Sequence, residues 1–440
     1  MTAAWRCRRP LVTCKRRAIG RWDTPVVRGF STLAVGNVLG QVIVAACVPV
    51  IARIYGPSVF GVYGIYMTAV SVTGSVATLR YDFAIALPHR DSSGTAAVWL
   101  AVVASLGVAA AAGIVIGVVA WLAHETLDGV GGAVVAATIP LAVAAIGINN
   151  AVVLWANRTS HFRTSATAGV TKSVVTCAIQ FMPVARTCLS GGLVAGYVAG
   201  QVASTWMPMR HFLESRTRFR SRQAMTRRMM LVARRYRNFP AFSAPQAFLN
   251  ALSQGVPVIL LGYFFDARSV GFYVLAQRVL QSPAEMITSA LHNALYVDFA
   301  KRIRRPIELK AQYVKYTCGM AGLAAVPAIG VLVFAGPVVR IVLGAEWSDV
   351  AAISRWLVLW IACLSANVPA RVVVNAFKKT HVFLVYDIAL ACARAAAIVI
   401  GGVAGSFMLA VMAFAVVSAL FNVFLILFGY SLLVTDEGMS

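Results

Sequence analysis

Long apolar segments recur along the whole chain and are separated by short polar stretches. A helix needs about 20 predominantly apolar residues to cross the roughly 30 Å hydrocarbon layer of a bilayer. Twelve segments meet that length, and they form two groups of six on either side of a polar stretch near the middle of the chain. The pattern predicts an all-α integral membrane protein with about twelve transmembrane helices in two six-helix lobes. The predicted spans are 30–52, 59–79, 96–122, 130–156, 165–185, 189–209, 243–265, 270–296, 314–338, 351–377, 382–404 and 407–433.

The composition agrees with a membrane protein and excludes an ordinary soluble one. Hydrophobic residues make up 60% of the 440 residues and charged residues only 12%, whereas a soluble domain has about 25% charged residues. The formal net charge of +24 could indicate binding to the phosphates of a nucleic acid. Because basic cytoplasmic loops are expected of any polytopic membrane protein, we predict no nucleic-acid partner.

The distribution of basic residues predicts the orientation in the membrane. The segment 210–240 contains ten arginines, from Arg210 to Arg237, and one acid, Glu214. Lysine and arginine resist translocation, so loops that are rich in them stay in the cytoplasm. The first 28 residues carry eight basic residues, whereas the loop 124–129 carries none. We therefore expect a multi-pass protein of the bacterial inner membrane with both termini in the cytoplasm.

The same pattern divides the chain into five parts. Two of them are lobes of six transmembrane helices each, and the other three are cytoplasmic segments. The parts are a basic N-terminal segment (1–28), the N-lobe (29–209), a basic linker loop (210–240), the C-lobe (241–434) and a cytoplasmic tail (435–440).

A weak internal repeat supports the division into two lobes. GPSVFGVY (56–63) follows the first predicted span, and DARSVGFY (266–273) follows the seventh at a constant offset of 210 residues, which pairs Gly61 with Gly271. Many transporters are built from two repeated bundles. Because each half has an even number of spans, we expect the two repeats to run parallel.

Charged residues inside the predicted spans are candidates for a transport path, because each of them is costly to bury in a bilayer. Arg278, Gln281 and Glu285 share one face of the eighth predicted span. Asp387 and Arg394 lie seven residues apart on the eleventh span and form a second polar stripe. The two stripes either face one cavity in the second half of the chain or pair with each other as structural ties between helices.

Further polar residues extend the predicted cavity. Lys172 lies within the fifth span as the candidate cation of the first lobe, Arg80 marks the cytoplasmic end of the second, and Arg371 lies near the inner end of the tenth. Arg371 could instead extend to the lipid headgroups. Three amide side chains could bond to sugar or hold helices together, and these are Asn149, Asn150 and Gln41.

Motifs typical of enzymes are absent from the sequence. There is no GxxxxGK[ST] phosphate loop and no HExxH zinc motif. The eight cysteines include no CxxC pair and mostly lie in apolar segments, as small buried residues do. We therefore predict no catalytic residue, no metal site and no cofactor. The small-residue patterns GNVLG (36–40), GIVIG (113–117) and GYVAG (196–200) predict close helix packing within the chain.

Three stretches of the chain resemble a known family. GPSVFGVYGIY (56–66), LRYDFAIALP (79–88) and the long segment 239–283 are similar to the bacterial polysaccharide transporter family. This is the O-antigen and exopolysaccharide repeat-unit flippase type of the multidrug/oligosaccharidyl-lipid/polysaccharide exporter superfamily. The resemblance implies a twelve-helix, two-lobed transporter and not an enzyme. It also implies a substrate, an undecaprenyl-diphosphate-linked sugar repeat, which such carriers move from the inner to the outer leaflet by alternating access.

Two other function classes are compatible with the sequence. A multidrug or cation exporter of the same superfamily should place carboxylates along its path, whereas the deep basic residues Lys172, Arg278 and Arg394 outnumber the deep acids here. A membrane polysaccharide polymerase or ligase should need a sizeable outer loop, and the predicted outer loops are all short. We therefore predict a flippase for lipopolysaccharide, capsule or exopolysaccharide synthesis. Membrane lipids, and the polymerase and glycosyltransferases of the pathway, are its candidate partners.

Overall fold

The computed structural model of the protein describes residues 25–122, 130–182, 190–216, 221–302, 306–377 and 380–437. Within these ranges it consists of thirteen α-helices with short 3₁₀ and π-helical turns, and it has no β-strand there, which confirms the all-α class. Most of the predicted N-terminal segment (1–28) and the loop 124–129 lie outside the described residues. The helices are α1 (Pro25–Gly74), α2 (Asp91–Leu122), α3 (Val130–Arg158), α4 (Phe162–Phe181), α5 (Ser190–Ser215), α6 (Arg222–Arg235), α7 (Ala244–Phe264), α8 (Ala267–Arg302), α9 (Pro306–Val342), α10 (Ser348–Ala366), α11 (Val368–Ala376), α12 (Thr380–Val403) and α13 (Phe407–Glu437).

Eight of the described helical segments are long and apolar enough to cross a membrane, as a multi-pass membrane protein requires. The longest of them, Thr32–Gly74, contains two of the predicted spans. Three more predicted spans coincide with α4, α5 and α8, which contain more polar residues. In α4, for example, Ser173, Thr176 and Gln180 are buried between helices. A test of apolar length alone therefore undercounts the twelve spans of the fold.

The helix α1 consists of two segments that are joined at Gly56. The backbone of Gly56 has φ 71° and ψ 171°, a conformation that glycine adopts without the steric cost of a Cβ. The second segment of α1 (57–74) corresponds to the second predicted span. It ends earlier than predicted, because the residues after Gly74 form turns in which Leu79 and Arg80 have φ values of 48° and 61°.

The segment between the lobes is helical where the sequence predicts a loop. In 210–240, α5 continues to Ser215, α6 begins after Ser221, and a π-helical turn follows at Phe239–Ser243. Ser221 caps α6, since its hydroxyl accepts a hydrogen bond from the backbone N–H of Ala224 (3.1 Å). The basic linker is therefore an ordered part of the fold where the structure describes it.

The tenth predicted span (351–377) is broken into α10 and α11. The break is at Asn367, a fully buried residue that donates a hydrogen bond from Nδ2 to Oδ1 of Asn422 on α13 (2.7 Å). A buried amide needs such a partner, because an unpaired polar group costs about 1–3 kcal/mol. The predicted span is nevertheless present, because the backbone of Asn367 is helical and the N–H groups of Asn367 and Arg371 bond to the carbonyls four residues before them. Pro369 has no N–H to donate, so the break is a short interruption within that span.

The helices form two lobes that meet along α1, α7 and α8. In the N-lobe, α2 to α5 pack with one another and with α1, and in the C-lobe α9 to α13 pack with α7 and α8. The main hydrophobic core crosses from one lobe to the other and includes the buried side chains of Tyr63, Tyr273 and Trp347. Two smaller cores lie within the lobes, around Trp155 in the N-lobe and Phe299 in the C-lobe.

Small residues set the helix spacing in the N-lobe. A Cβ built on Gly36 would lie 2.6 Å from the Cβ of Ala166, so α1 packs closely on α4. Cβ atoms built on Gly40, Gly196 and Gly200 would likewise lie within 3.0 Å of atoms of α4. These contacts confirm that the GNVLG and GYVAG patterns serve packing within the chain.

Candidate functional site

A cavity of about 770 Å³ lies between the two lobes. Its walls are formed by the second segment of α1, by α7 and by α8, together with Arg80 in the turn after α1. Most of the wall consists of small or polar side chains, which is unusual for helices in the middle of a membrane. The polar residues of the wall are Tyr63, Thr68, Ser71, Ser75, Arg80, Asn250, Gln254, Gln277, Arg278, Gln281, Ser282 and Glu285.

A close contact between α1 and α8 bounds one end of the cavity. Cβ atoms built on Gly61 and Gly271 would overlap the backbone of the opposite helix, so the two helices cross here with little separation. Trp347 packs at the same place against Phe60 of α1 and Phe272 of α8, at ring-centroid distances of 5.4 and 5.9 Å. The residues of α1 and α8 that line the cavity all follow these glycines, so the cavity lies on one side of the contact.

The wall formed by α8 carries a continuous chain of polar groups. Gln277 donates from Nε2 to Oε1 of Gln281 (2.9 Å), and Gln281 donates from Nε2 to Oε1 of Glu285 (2.6 Å). Each step is four residues, so the three side chains lie above one another on the same helix face. Glu285 is exposed at the far end of this row. The row offers donors and acceptors to any polar solute in the cavity.

Arg278 supplies a positive charge next to this row. It is half-buried and forms no salt bridge with any residue that the structure describes. In the N-lobe, the Nζ atom of Lys172 lies 5.6 Å from the centroid of the Tyr197 ring. An anion beside Arg278 would lower the electrostatic energy of this charge.

Arg80 is the second cation of the cavity wall. Its backbone is in the left-handed region, with φ 61°, and its guanidinium lies 5.1 Å from the centroid of the Phe83 ring. The Nε atom of Arg80 is buried and has no hydrogen-bond partner in the described part of the chain. A strained backbone that presents a buried donor without a partner is common at functional sites.

Arg394 lies away from the cavity, in the interior of the C-lobe. Its Nε donates a hydrogen bond to the hydroxyl of Ser418 (2.8 Å), and the guanidinium lies 5.2 Å from the Trp360 ring and 5.3 Å from the Phe414 ring. Only 8% of the residue is exposed. These contacts join α12 to α10 and α13, and Arg394 forms no salt bridge with an acid in the described part of the chain.

The other predicted residues do not line the cavity either. Lys172 is half-buried beside it, and Arg371 is half-buried on α11 with its Nε unpaired among the described residues. Asp387 is exposed on α12. Asn149 has a buried Oδ1 without a partner in the described ranges. Asn150 is exposed on α3, and Gln41 is exposed on α1. The structure thus brings together four of the predicted residues, Arg80, Arg278, Gln281 and Glu285.

Sequence reasoning missed several polar residues of the wall. Ser71 lies on α1 and Ser75 lies directly after its end. Asn250 and Gln254 lie on α7, where Nε2 of Gln254 donates to Oδ1 of Asn250 (2.7 Å). Each pair has the same four-residue spacing as Gln277 and its neighbours on α8. Uncharged polar pairs at that spacing, one in each predicted span, are the signal that could have found them.

Comparison with solved structures shows the fold. An inward-facing multidrug resistance MATE family transporter of the MOP superfamily matches with a TM-score of 0.73 and 12% identity, over 92% of this chain and 99% of that one. The lipid II flippase MurJ in an inward closed conformation matches with a TM-score of 0.65 and 12% identity, over 90% and 86%. An outward-facing MATE family transporter has a TM-score of 0.54 and 13% identity, over 94% and 97%. The two-lobed fold of these proteins is the fold of this chain.

The sequence itself identifies the family. No curated protein matches the chain. The family described as polysaccharide biosynthesis protein matches residues 50–352, which is more than half of the chain and includes both the glycine contact and the cavity wall. The protein therefore belongs to the polysaccharide biosynthesis protein family.

Proposed function

We propose that this protein is a flippase that moves polyprenyl-diphosphate-linked oligosaccharides from the cytoplasmic to the periplasmic leaflet of a bacterial inner membrane by alternating access. The observation that carries the proposal is the cavity between the lobes, whose charged residues are Arg80, Arg278 and Glu285 among many uncharged polar side chains. The family supports a role in polysaccharide synthesis. The likeness in fold to a lipid II flippase supports a lipid-linked substrate.

The cavity suits the physical problem that such a substrate presents. A diphosphate and its sugars cannot cross hydrocarbon unaided, because each unpaired polar group costs several kcal/mol there. Arg278 and Arg80 would offset the negative charge of the diphosphate. The serine, asparagine and glutamine side chains of α1, α7 and α8 would replace water at the sugar hydroxyls. The prenyl chain would remain in the lipid beside the lobes. The protein forms and breaks no bond in this process.

The two faces of the molecule support an inward-facing state. On one face the lobes are joined by the glycine contact and by Arg53, whose Nε donates to the carbonyl oxygen of Val342 (2.9 Å). The cavity lies on the other face, towards the basic linker between the lobes. The higher TM-score with the inward-facing transporter (0.73) than with the outward-facing one (0.54) points the same way. With the linker in the cytoplasm, the cavity receives its substrate from that side.

The orientation can be tested by reporter fusions. With both termini and the linker in the cytoplasm, a periplasmic reporter fused after His124 should be active, and one fused after Arg220 should be inactive. The reverse pattern would place the cavity on the periplasmic side.

The proposal also assigns 29–209 and 241–434 to the two lobes. It places the polymerase and the glycosyltransferases of the pathway on opposite sides of the membrane.

The function can be tested by removing the charge of Arg278. In cells that depend on this protein for polysaccharide export, Arg278→Gln should lower export at least tenfold, since a hydrogen bond to a charged group contributes about 1.5–3 kcal/mol. Lipid-linked repeats should then accumulate on the cytoplasmic leaflet while the variant remains abundant in the membrane. Arg355→Gln, which removes an exposed arginine of the same lobe, is the matched control. Full export by Arg278→Gln would contradict the proposal.

One observation favours a second function, export of organic cations. Glu285 is a carboxylate in the wall of the cavity, and a cation exporter needs such a group. In that case Glu285→Gln should abolish efflux of a lipophilic cation, whereas Arg278→Gln should leave it intact. A flippase for an anionic lipid predicts greater sensitivity to loss of Arg278 than of Glu285.

A further inference from the structure

A second cavity, of about 540 Å³, lies at the edge of the N-lobe. It is formed between the residues that precede and begin α2 and one face of α6, and it shares no lining residue with the cavity between the lobes. It is therefore a separate site, and nothing in the proposed transport path uses it.

The face of α6 that lines this cavity is basic at both ends and apolar between. Arg228, Leu231, Val232 and Arg235 line it at the spacing i, i+3, i+4 and i+7, which places them on one helix face. Val232 is buried and anchors the helix, and Nη2 of Arg228 donates to the hydroxyl of Ser92 on α2 (2.9 Å). The helix is thereby fixed with this face towards α2.

The opposite wall adds further positive charge. Arg90 and His89 line the cavity from the side of α2, so that three arginines and a histidine surround it, and no acid is among the lining residues. The nearby Asp91 is held in a salt bridge with Arg158 (3.1 Å) and does not line the cavity. Clustered guanidinium groups in a concave surface bind phosphate well, because each offers several N–H donors in a fixed plane.

The cavity lies at the end of a candidate membrane span. The apolar segment Asp91–Val118 of α2 begins directly after Arg90, and the end of a span is where lipid headgroups are expected. Leu87 and Leu231 both line the cavity and are 52% and 53% exposed. A water-exposed apolar pair next to arginines is costly, whereas the same pair at a membrane surface contacts acyl chains.

We propose that this cavity binds the phosphate of an anionic glycerophospholipid from the bilayer leaflet next to α6. Arg90 and Arg235 hold the phosphate from opposite walls, and Leu87 and Leu231 contact the first methylenes of the acyl chains. The phosphate of a bulk lipid is favoured over that of the transported substrate, because the cavity shares no lining residue with the cavity between the lobes and has an apolar edge. The bound lipid joins the linker helix to the membrane surface.

The test measures binding of fluorescent phosphatidylglycerol to the purified full-length protein in phosphatidylcholine nanodiscs. Arg90→Gln/Arg235→Gln should weaken binding about 25-fold, since each basic residue near a lipid surface contributes roughly fivefold in affinity. Arg227→Gln/Arg234→Gln removes the same charge from α6 outside the cavity and should change binding little. Arg90→Lys/Arg235→Lys retains the charge, should retain most of the binding, and so separates loss of the site from misfolding.

Three results would overturn the proposal. The first is that the cavity pair and the control pair of substitutions weaken lipid binding equally, which would show that only the net charge of the protein matters. The second is weakening by the lysine pair as large as that by the glutamine pair when all variants melt at the temperature of the wild type, which would show that the positive charge of the cavity does not hold the lipid. The third is full displacement of the lipid by an equal concentration of glycerol 1-phosphate, which would make the cavity a site for free anions. This test measures lipid binding, whereas the Arg278→Gln test measures export. A failure of one proposal is therefore distinguishable from a failure of the other.

Discussion

Gly61 of α1 and Gly271 of α8 lie against each other where the two lobes meet. A Cβ built on Gly61 would overlap the carbonyl oxygen of Ala267, and one built on Gly271 would overlap the carbonyl oxygen of Pro57. Gly61 and Gly271 are 210 residues apart, and so are Pro57 and Ala267. This is the offset that links the repeated motifs. The contact is therefore symmetric between the repeats, and each repeat supplies one glycine and one carbonyl group. A side chain at either glycine would push the lobes apart on this face.

The first prediction concerns this contact. Gly61→Ala or Gly271→Ala should destabilise the protein by about 1–3 kcal/mol, as overpacking of a closed interface does. The melting temperature in detergent should fall, and export should fall with it. Gly107→Ala on α2 is the control, because no atom lies within 4 Å of a Cβ built there and alanine favours a helix by about 0.5–1 kcal/mol. Equal melting temperatures for all three variants would contradict a close contact.

The second prediction separates Arg278 from Arg394, the two arginines of the predicted polar stripes. Arg394→Ala removes the hydrogen bond to Ser418 and both ring contacts, and it should cost about 2–3 kcal/mol of stability. Its melting temperature and its abundance in the membrane should fall. Arg278→Ala should lower export without lowering either. If Arg394→Ala were as stable as the wild type, the assigned structural role would be wrong.

The third prediction concerns Arg158, the last residue of α3. Arg158 donates from Nη1 to the carbonyl oxygen of Ile85 (2.7 Å) and from Nη2 to Asp91 (3.1 Å). The side chain of Asp91 is 75% exposed, so water and salt screen this pair and Asp91→Asn should cost less than about 1 kcal/mol. Arg158→Gln should cost more, because it also removes the bond to the buried Ile85. Thermal unfolding of both variants at low and high salt measures the difference, and a larger loss in Asp91→Asn would refute this ranking.

The fourth prediction is a dependence of stability on pH. His211 lies in the linker region beside His161, with ring centroids 4.1 Å apart, and its Nε2 is 2.9 Å from Oγ1 of Thr159. Burial, and then the neighbouring His161, lower the pKa of His211 from its ordinary value. The unfolded chain therefore binds more protons than the folded one when the pH falls below about 6.5. The contribution of His211 to the free energy of unfolding is therefore fully present above that pH and is lost as the pH falls below it.

The measurement compares melting temperatures between pH 8 and pH 5.5. The wild type should lose stability below about pH 6.5, and His211→Gln should lose less over the same interval. Glutamine retains a polar group next to Thr159, so it is a matched substitution. Identical losses in both proteins would show that His211 does not contribute to the pH dependence.

The fold was predictable from the sequence because the length of an apolar segment and the charge of a loop can each be read from residues that are neighbours in the chain. The repeated glycines at 61 and 271 could also be paired by their offset alone. Arg278 and Arg394 show the limit of this reasoning. Both lie on membrane helices beside acids seven residues away, but Arg394 meets Ser418 and Trp360 from other helices, and contacts between distant segments cannot be read from spacing along one helix.

Backbone features were equally hidden from sequence reasoning. Arg80 has a left-handed φ and lines the cavity, although nothing in the LRYDF motif requires that backbone conformation. The buried amide of Asn367 bonds to Asn422, which lies 55 residues away in the sequence. Such pairs are specified by tertiary packing, because a buried amide is stable only when its partner is present.

The short π-helical turn at Phe239–Ser243 restricts how the halves of the molecule can move. The linker helix α6 is bound to the N-lobe through Arg228, and the ring of Phe239 packs against Phe83 at 6.0 Å. These contacts fix the described part of the linker to the N-lobe, although the linker is what joins the two lobes along the chain. The turn is continuous with the helix that follows it, over Phe239–Phe264. We therefore predict that rotation of one lobe against the other is taken up in the irregular turn, about one helical turn in length, where backbone hydrogen bonds depart from the α-helical pattern.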